Sequence, residues 1–237
     1  MGRRLTVDNG QRRTGDRGRD DMVTGVLDKK KAAWFILACI LLGGAAYLAL
    51  EMALPLTPLR PGHEVAVFCG FMLVPLAILL ITGRKPILGK LDRGFFEGVG
   101  LYMLFLAPLL FLIPSHPQYF SGYRMAPAVA ASWGVLTFIQ VSSVDFFTKR
   151  IVQLEVWNAW GPAWGMAAQF GAWSGAHVLE YMWLKDLMGP PGAVLFLGVT
   201  GALTGLLFLR TKNVLGMMAG HWLLNVLLAV AAVIYPA

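Results

Sequence analysis

Residues 195–230 read LFLGVTGALTGLLFLRTKNVLGMMAGHWLLNVLLAV, two long apolar runs separated by a short basic turn. With its flanking residues, each run approaches the ~20 residues that a helix needs to cross the hydrocarbon core of a bilayer. The second run nevertheless contains His221 and Asn225, and polar side chains at that depth are unfavourable unless they serve a purpose. The two residues are four apart, so on a helix both project from one face. This stretch therefore predicts two transmembrane helices, the second with a polar pair.

The composition of the whole chain indicates a membrane protein. The 237 residues are 57% hydrophobic and only 14% charged, whereas a soluble domain has about 25% charged residues. The apolar stretches are continuous instead of alternating with a period of two, which favours helices over strands. We predict an all-α, polytopic transmembrane helix bundle of about seven spans. The expected spans are 33–53, 64–83, 95–114, 126–146, 164–184, 191–209 and 214–235.

The distribution of basic residues predicts the orientation of this bundle, because Lys and Arg are retained in cytoplasmic loops. A cytoplasmic N-terminus places 17 of the 20 Lys and Arg residues inside, and an odd number of spans then places the C-terminus outside. Residues 1–30 are expected to be a basic, disordered cytoplasmic tail, and residues 31–237 the transmembrane domain of a prokaryotic plasma-membrane protein. The net charge of +7 reflects topology and contact with the lipid bilayer, not nucleic-acid binding.

Further polar residues are expected at the depth of His221. If the fourth helix continues to about residue 156 and the next begins near 164, Asp145 and His177 lie roughly 12–20 Å from the cytoplasmic end, at 1.5 Å per residue. His177 is followed three residues later by Glu180, on the same helical face. Imidazoles, a carboxamide and a carboxylate are suitable groups around a metal-bound water.

Two other features of this region have structural interpretations. Lys149 and Arg150 fall within the outer hydrocarbon, where they can extend toward the cytoplasm or pair with Asp145. The glycines of GVTGALTG, at 198, 201 and 205, are small enough for close helix packing.

These residues carry a resemblance to a known family over about residues 125–235. The segment 195–227, with its His221-x-x-x-Asn225 pattern, and Trp173-Ser-Gly-Ala-His177 resemble the third and second motifs of the CPBP family of intramembrane metalloproteases. That family includes type II CAAX prenyl proteases and bacteriocin-processing or immunity proteins. The family's first motif, Glu-Glu-x-x-x-Arg, is altered here. Asp145 takes either the first glutamate position, with Arg150 as the arginine, or the second, with Lys149 as the arginine; we favour the first.

The resemblance implies an intramembrane endopeptidase that hydrolyses a membrane-associated or prenylated protein or peptide. His177 and His221 would hold a divalent metal, zinc by expectation, or position the attacking water directly. Asp145 would be the general base, Arg150 would orient it, and Asn225 would bond the developing oxyanion. Glu180 is a candidate substitute for the missing carboxylate.

Two other functions are consistent with the sequence. The loss of a first-motif glutamate favours a non-catalytic member of the same scaffold, acting as an immunity factor or binding partner. A proton-coupled transporter would also place histidines and carboxylates in the membrane, but no internal repeat is visible.

Overall fold

The structure is a computed structural model that describes residues 28–54, 61–112, 114 and 127–234. Most of the predicted N-terminal tail therefore lies outside the described residues. The described part of the chain is helical and contains no strand, which confirms the predicted fold class. The first helix begins at Lys29, directly after Asp28, whose side chain accepts a hydrogen bond from the backbone N–H of Lys30 and caps the helix.

The helices follow one another with two π-helical insertions. The first insertion, Cys69–Leu73, follows the helix Pro61–Phe68, and the second, Phe146–Gln153, follows the helix Pro127–Asp145. The α-helices are α1 (Lys29–Ala53), α2 (Pro61–Phe68), α3 (Val74–Ile81), α4 (Arg93–Leu112), α5 (Pro127–Asp145), α6 (Leu154–Trp160), α7 (Pro162–Ala176), α8 (Val178–Thr211) and α9 (Val214–Ile234).

Five stretches of the described chain are long and apolar enough to cross a membrane. They are Lys29–Ala53, His63–Ile81, Arg93–Leu112, Glu180–Thr211 and Val214–Ala231. Their outward faces expose large apolar side chains such as Ile81 and Phe111, each 84% exposed, as expected for a surface in contact with lipid. The chain is an integral membrane protein.

The other two predicted spans also correspond to helices, with different boundaries. The break expected at Gly161 and Pro162 is present, and Gly161 has a φ of 97° that suits glycine. The span predicted at 164–184 is wrong as one helix, because His177 has non-helical dihedrals and separates α7 from α8. The expected boundary between residues 184 and 191 is instead a kink at Gly189 within α8.

The basic segments assigned to one side by the sequence meet at one end of the bundle. Arg150 donates to the carbonyl of Lys85, Arg84 lies 3.6 Å from Glu155, and the amide of Asn213 donates to the carbonyl of Lys90. This proximity is consistent with a shared membrane face.

Close packing of α4 against α9 depends on glycine. A Cβ atom at Gly98 would lie 2.6 Å from the carbonyl carbon of Gly216, and one at Gly220 would lie 2.9 Å from the oxygen of Gly98. The two backbones can approach this closely only because these side chains are absent. The approach brings Tyr102 of α4 against His221 of α9, with ring centroids 4.9 Å apart and planes within 8°.

The packing role predicted for the α8 glycines is also found. Gly201 lies against Trp173, and Gly205 lies against Gln169, both on α7. This contact fixes the face of α7 that carries Trp173 toward the interior of the bundle.

Candidate active site

The segment that follows Asp145 is unusual for a membrane helix because its charged residues are buried. The π-helical stretch Phe146–Gln153 buries Lys149 and Arg150, with 0% and 2% of each residue exposed. Asp145 itself is 0% exposed. A π-helical turn often occurs at a functional site, and charges this deep require partners.

Asp145 has partners at both carboxylate oxygens. Its Oδ1 accepts from Lys149 Nζ at 2.5 Å and from the Tyr102 hydroxyl at 3.2 Å. Its Oδ2 lies 3.2 Å from Nδ1 of His221. The predicted ion pair between Asp145 and Lys149 is therefore confirmed.

The contact with Asp145 determines which ring nitrogen of His221 donates a hydrogen bond. A carboxylate oxygen can only accept, so Nδ1 of His221 donates to Asp145, and in a neutral imidazole protonated at Nδ1 the other nitrogen, Nε2, has a lone pair. The ring stacks on Tyr102, and its side chain is 12% exposed. His221 thus has one ring nitrogen fixed by a buried acid, while none of the contacts of the described residues involves the other.

His177 is held in a comparable way by Trp173. Its Nδ1 donates to the carbonyl oxygen of Trp173 at 2.8 Å, and the two rings stack with centroids 3.8 Å apart. Nε2 of His177 is therefore also left with a lone pair. The His177 and His221 ring centroids are 5.8 Å apart.

A cavity of about 610 Å³ lies beside both histidines. Its walls are mainly apolar and come from α4, α5, α7, α8 and α9, and its polar lining includes His177, Glu180, His221 and Asn225. Asp145 and Lys149 are not among its described lining residues; they lie behind His221, Tyr102 and Trp173. A mostly apolar cavity with a few convergent polar groups has the form of a small-molecule or peptide site.

The two remaining lining candidates differ in their hydrogen bonding. The Asn225 amide donates one N–H to the carbonyl of His221, 3.2 Å away, and a carboxamide has a second N–H. Glu180, in the first turn of α8, is exposed to the cavity.

The contacts of Arg150 do not match the orienting role expected for it. Its guanidinium bonds to Glu155 and to the carbonyl of Lys85, and none of the described contacts joins it to Asp145. The cation beside Asp145 is Lys149, as in the second of the two alignments of the first motif.

The donor set does not form a metal centre with three protein ligands, the number usual for catalytic zinc. Within the described ranges no three His, Cys, Asp or Glu side chains are grouped so that they could hold a metal ion. Both oxygens of Asp145 already accept hydrogen bonds, and an ammonium group lies beside them. The zinc expected from the sequence stays an untested prediction.

Comparison with known proteins agrees with the sequence motifs. Residues 130–227 match the family model described as type II CAAX prenyl endopeptidase Rce1-like. The resemblance is confirmed for this segment. The Rce1-like segment includes Asp145, His177, His221 and Asn225, and the match lies within the range 125–235 predicted from the motifs. No curated protein and no solved structure matches the chain.

Tyr102 belongs to this site, although the sequence analysis does not single it out and it lies outside the Rce1-like segment. It lies within the apolar span predicted at 95–114, and its hydroxyl donates to Asp145, 43 positions away in sequence. A phenol within an apolar span requires a partner when buried, and this signal could have indicated it.

Proposed function

We propose that the chain is an intramembrane endopeptidase whose attacking water is activated by His221, with Asp145 behind it. The observation that carries this proposal is the Asp145–His221 contact at the wall of an apolar cavity. The match of residues 130–227 to a CAAX prenyl endopeptidase family supports the same activity.

The roles follow from the hydrogen bonds. Nε2 of His221 removes a proton from a water molecule in the cavity, while Asp145 holds Nδ1–H and stabilises the imidazolium that forms. The role of direct base, expected for Asp145, passes to His221 because the carboxylate lies behind the ring and its oxygens are occupied.

The reaction is a hydrolysis. The water oxygen attacks the peptide carbonyl carbon, the C–N bond breaks, and the proton held by His221 passes to the leaving nitrogen. The second N–H of Asn225 stabilises the negative charge on the carbonyl oxygen, and Nε2 of His177 accepts a second hydrogen bond from the water.

The cavity favours a substrate with a large apolar group. Its apolar walls, including Phe105, Leu109, Phe196 and Leu228, would exclude bulk water and bind an isoprenoid chain or an apolar peptide segment. We therefore propose a prenylated peptide as the first substrate to test.

The purified protein in lipid vesicles should cleave a farnesylated peptide ending in a CAAX sequence faster than the same peptide without the lipid. Equal cleavage of both peptides would support the peptidase activity and contradict a preference for prenylated substrates. A folded protein that binds the farnesylated peptide without cleaving it would favour the non-catalytic, partner-binding function.

A further inference from the structure

The contacts of Lys149 go beyond the arginine position that the second alignment of the first motif gives it. Its side chain is fully buried, and its ammonium contacts Asp145 on one side and lies 4.5 Å from the Trp173 ring centroid on the other. Burial of an ammonium group is unfavourable unless it is paired with a carboxylate and other electron-rich groups.

These two contacts connect Lys149 with both histidines. Asp145 fixes Nδ1 of His221, whereas Trp173 stacks on His177 and accepts its Nδ1–H. The order of contacts is therefore His221, Asp145, Lys149, Trp173 and His177. Each histidine is held by a residue that Lys149 touches.

The same contacts disfavour the binding of a divalent metal ion beside Asp145. A divalent ion next to Asp145 would approach the ammonium of Lys149 and compete for carboxylate oxygens that are already occupied. Lys149 already supplies a positive charge there, through an ammonium group held between Asp145 and the Trp173 ring.

We propose that the Lys149 ammonium takes the place of a metal ion as the cation that organises this site. Lys149 is a positioning residue. It holds Asp145 as a carboxylate against His221, and through Trp173 it fixes the position of His177 relative to His221. This inference rests on the proposed peptidase function for its kinetic consequences, but its structural part can be measured without a substrate.

The kinetic test compares Lys149→Met, Lys149→Arg and a matched control on the farnesylated peptide. Lys149→Met should lower kcat by roughly 10²–10⁴-fold, which is the rate enhancement that a positioned general base usually contributes. The change in KM should be much smaller. Lys149→Arg keeps the charge and should recover part of the loss. Full kcat in Lys149→Met would overturn the proposal while leaving the peptidase function intact.

Lys212→Met is the control, because Lys212 also places a largely buried ammonium over an aromatic ring, that of Trp157, but without a described carboxylate partner. It should keep the wild-type kcat. An equal loss in both variants would show that removing any buried lysine disturbs the fold, and would overturn a specific role for Lys149.

Infrared difference spectra against Asp145→Asn test the structural part even if no peptide is cleaved. In the wild type, Asp145 should contribute a carboxylate band and no protonated carboxyl band. In Lys149→Met the protonated band should appear, because a buried carboxylate without its counter-ion takes up a proton. A protonated Asp145 in the wild type would overturn the proposal without any Lys149 variant.

Metal content gives a second measurement on the wild-type protein. The proposal predicts no stoichiometric metal after purification and unchanged cleavage with a chelator. Activity that is lost on chelation and restored by Zn²⁺ would confirm the peptidase function and contradict the role of Lys149.

Discussion

Oδ2 of Asp145 lies 3.2 Å from Nδ1 of His221, although the two residues are 76 positions apart in sequence. The contact joins the end of α5 to the middle of α9 and explains why a buried acid without direct access to the cavity can affect chemistry there. In our proposal the acid sets the tautomer of the imidazole, and the imidazole lines the cavity where the substrate would bind.

Asp145→Asn should lower kcat by about 10²–10⁴-fold, because an amide cannot stabilise the imidazolium. Asp145→Glu retains the charge and should keep more activity than the asparagine variant. Asp186→Asn, at an exposed acid bonded to Lys185, is the control. Loss of one partner of a buried ion pair also costs about 3–5 kcal/mol of stability, so rates must be normalised to folded protein.

Glu180→Gln should leave most of the activity. Glu180 lines the cavity, but in our proposal the proton is taken by His221, which has its own buried acid. Steady-state cleavage of the farnesylated peptide tests this. A loss larger than that in Asp145→Asn would show that the carboxylate on α8 is the base.

The termini should lie on opposite sides of the membrane, with the N-terminus inside. Reporter fusions at each end, or protease accessibility of terminal tags, would measure this. The basic segments around Arg84, Arg150 and Arg210 should share the cytoplasmic side with the N-terminus. Two termini on one side would require an even number of spans.

Lys212 predicts a pH dependence of stability. It lies between two candidate spans, and burial lowers its pKa from 10.5 to about 7. Between these values the unfolded chain binds more protons than the folded one, so stability should rise with pH across this window. Thermal unfolding in detergent should show less of this rise in Lys212→Met. An equal rise in both proteins would contradict the assignment of this pH dependence to Lys212.

The sequence predicted the helical class, the break at Gly161 and the polar residues that meet at the site, because apolar run length and intramembrane polarity are local signals. It did not predict the π-helical stretch after Asp145, since the hydrogen-bond register there depends on the partners of Lys149 and Arg150. Those adjacent cations turn to different partners, Asp145 and Glu155. Their separation depends on tertiary contacts that spacing does not encode.

Tyr102 illustrates the same limit from another helix. Its contact with Asp145 and His221 depends on the approach of Gly98 to Gly216 between α4 and α9. The polar phenol was visible in the sequence, but its partner was set by that packing.

The most direct test of the central claim is cleavage of the farnesylated peptide in lipid vesicles by wild type, His221→Ala and His63→Ala, followed by mass spectrometry. His63 is paired with Glu51 outside the described lining of the cavity and serves as the matched control. We predict that wild type and His63→Ala yield two fragments whose masses sum to the substrate plus one water, and that folded His221→Ala yields none. Equal cleavage by folded His221→Ala would contradict the assignment of His221 as the base.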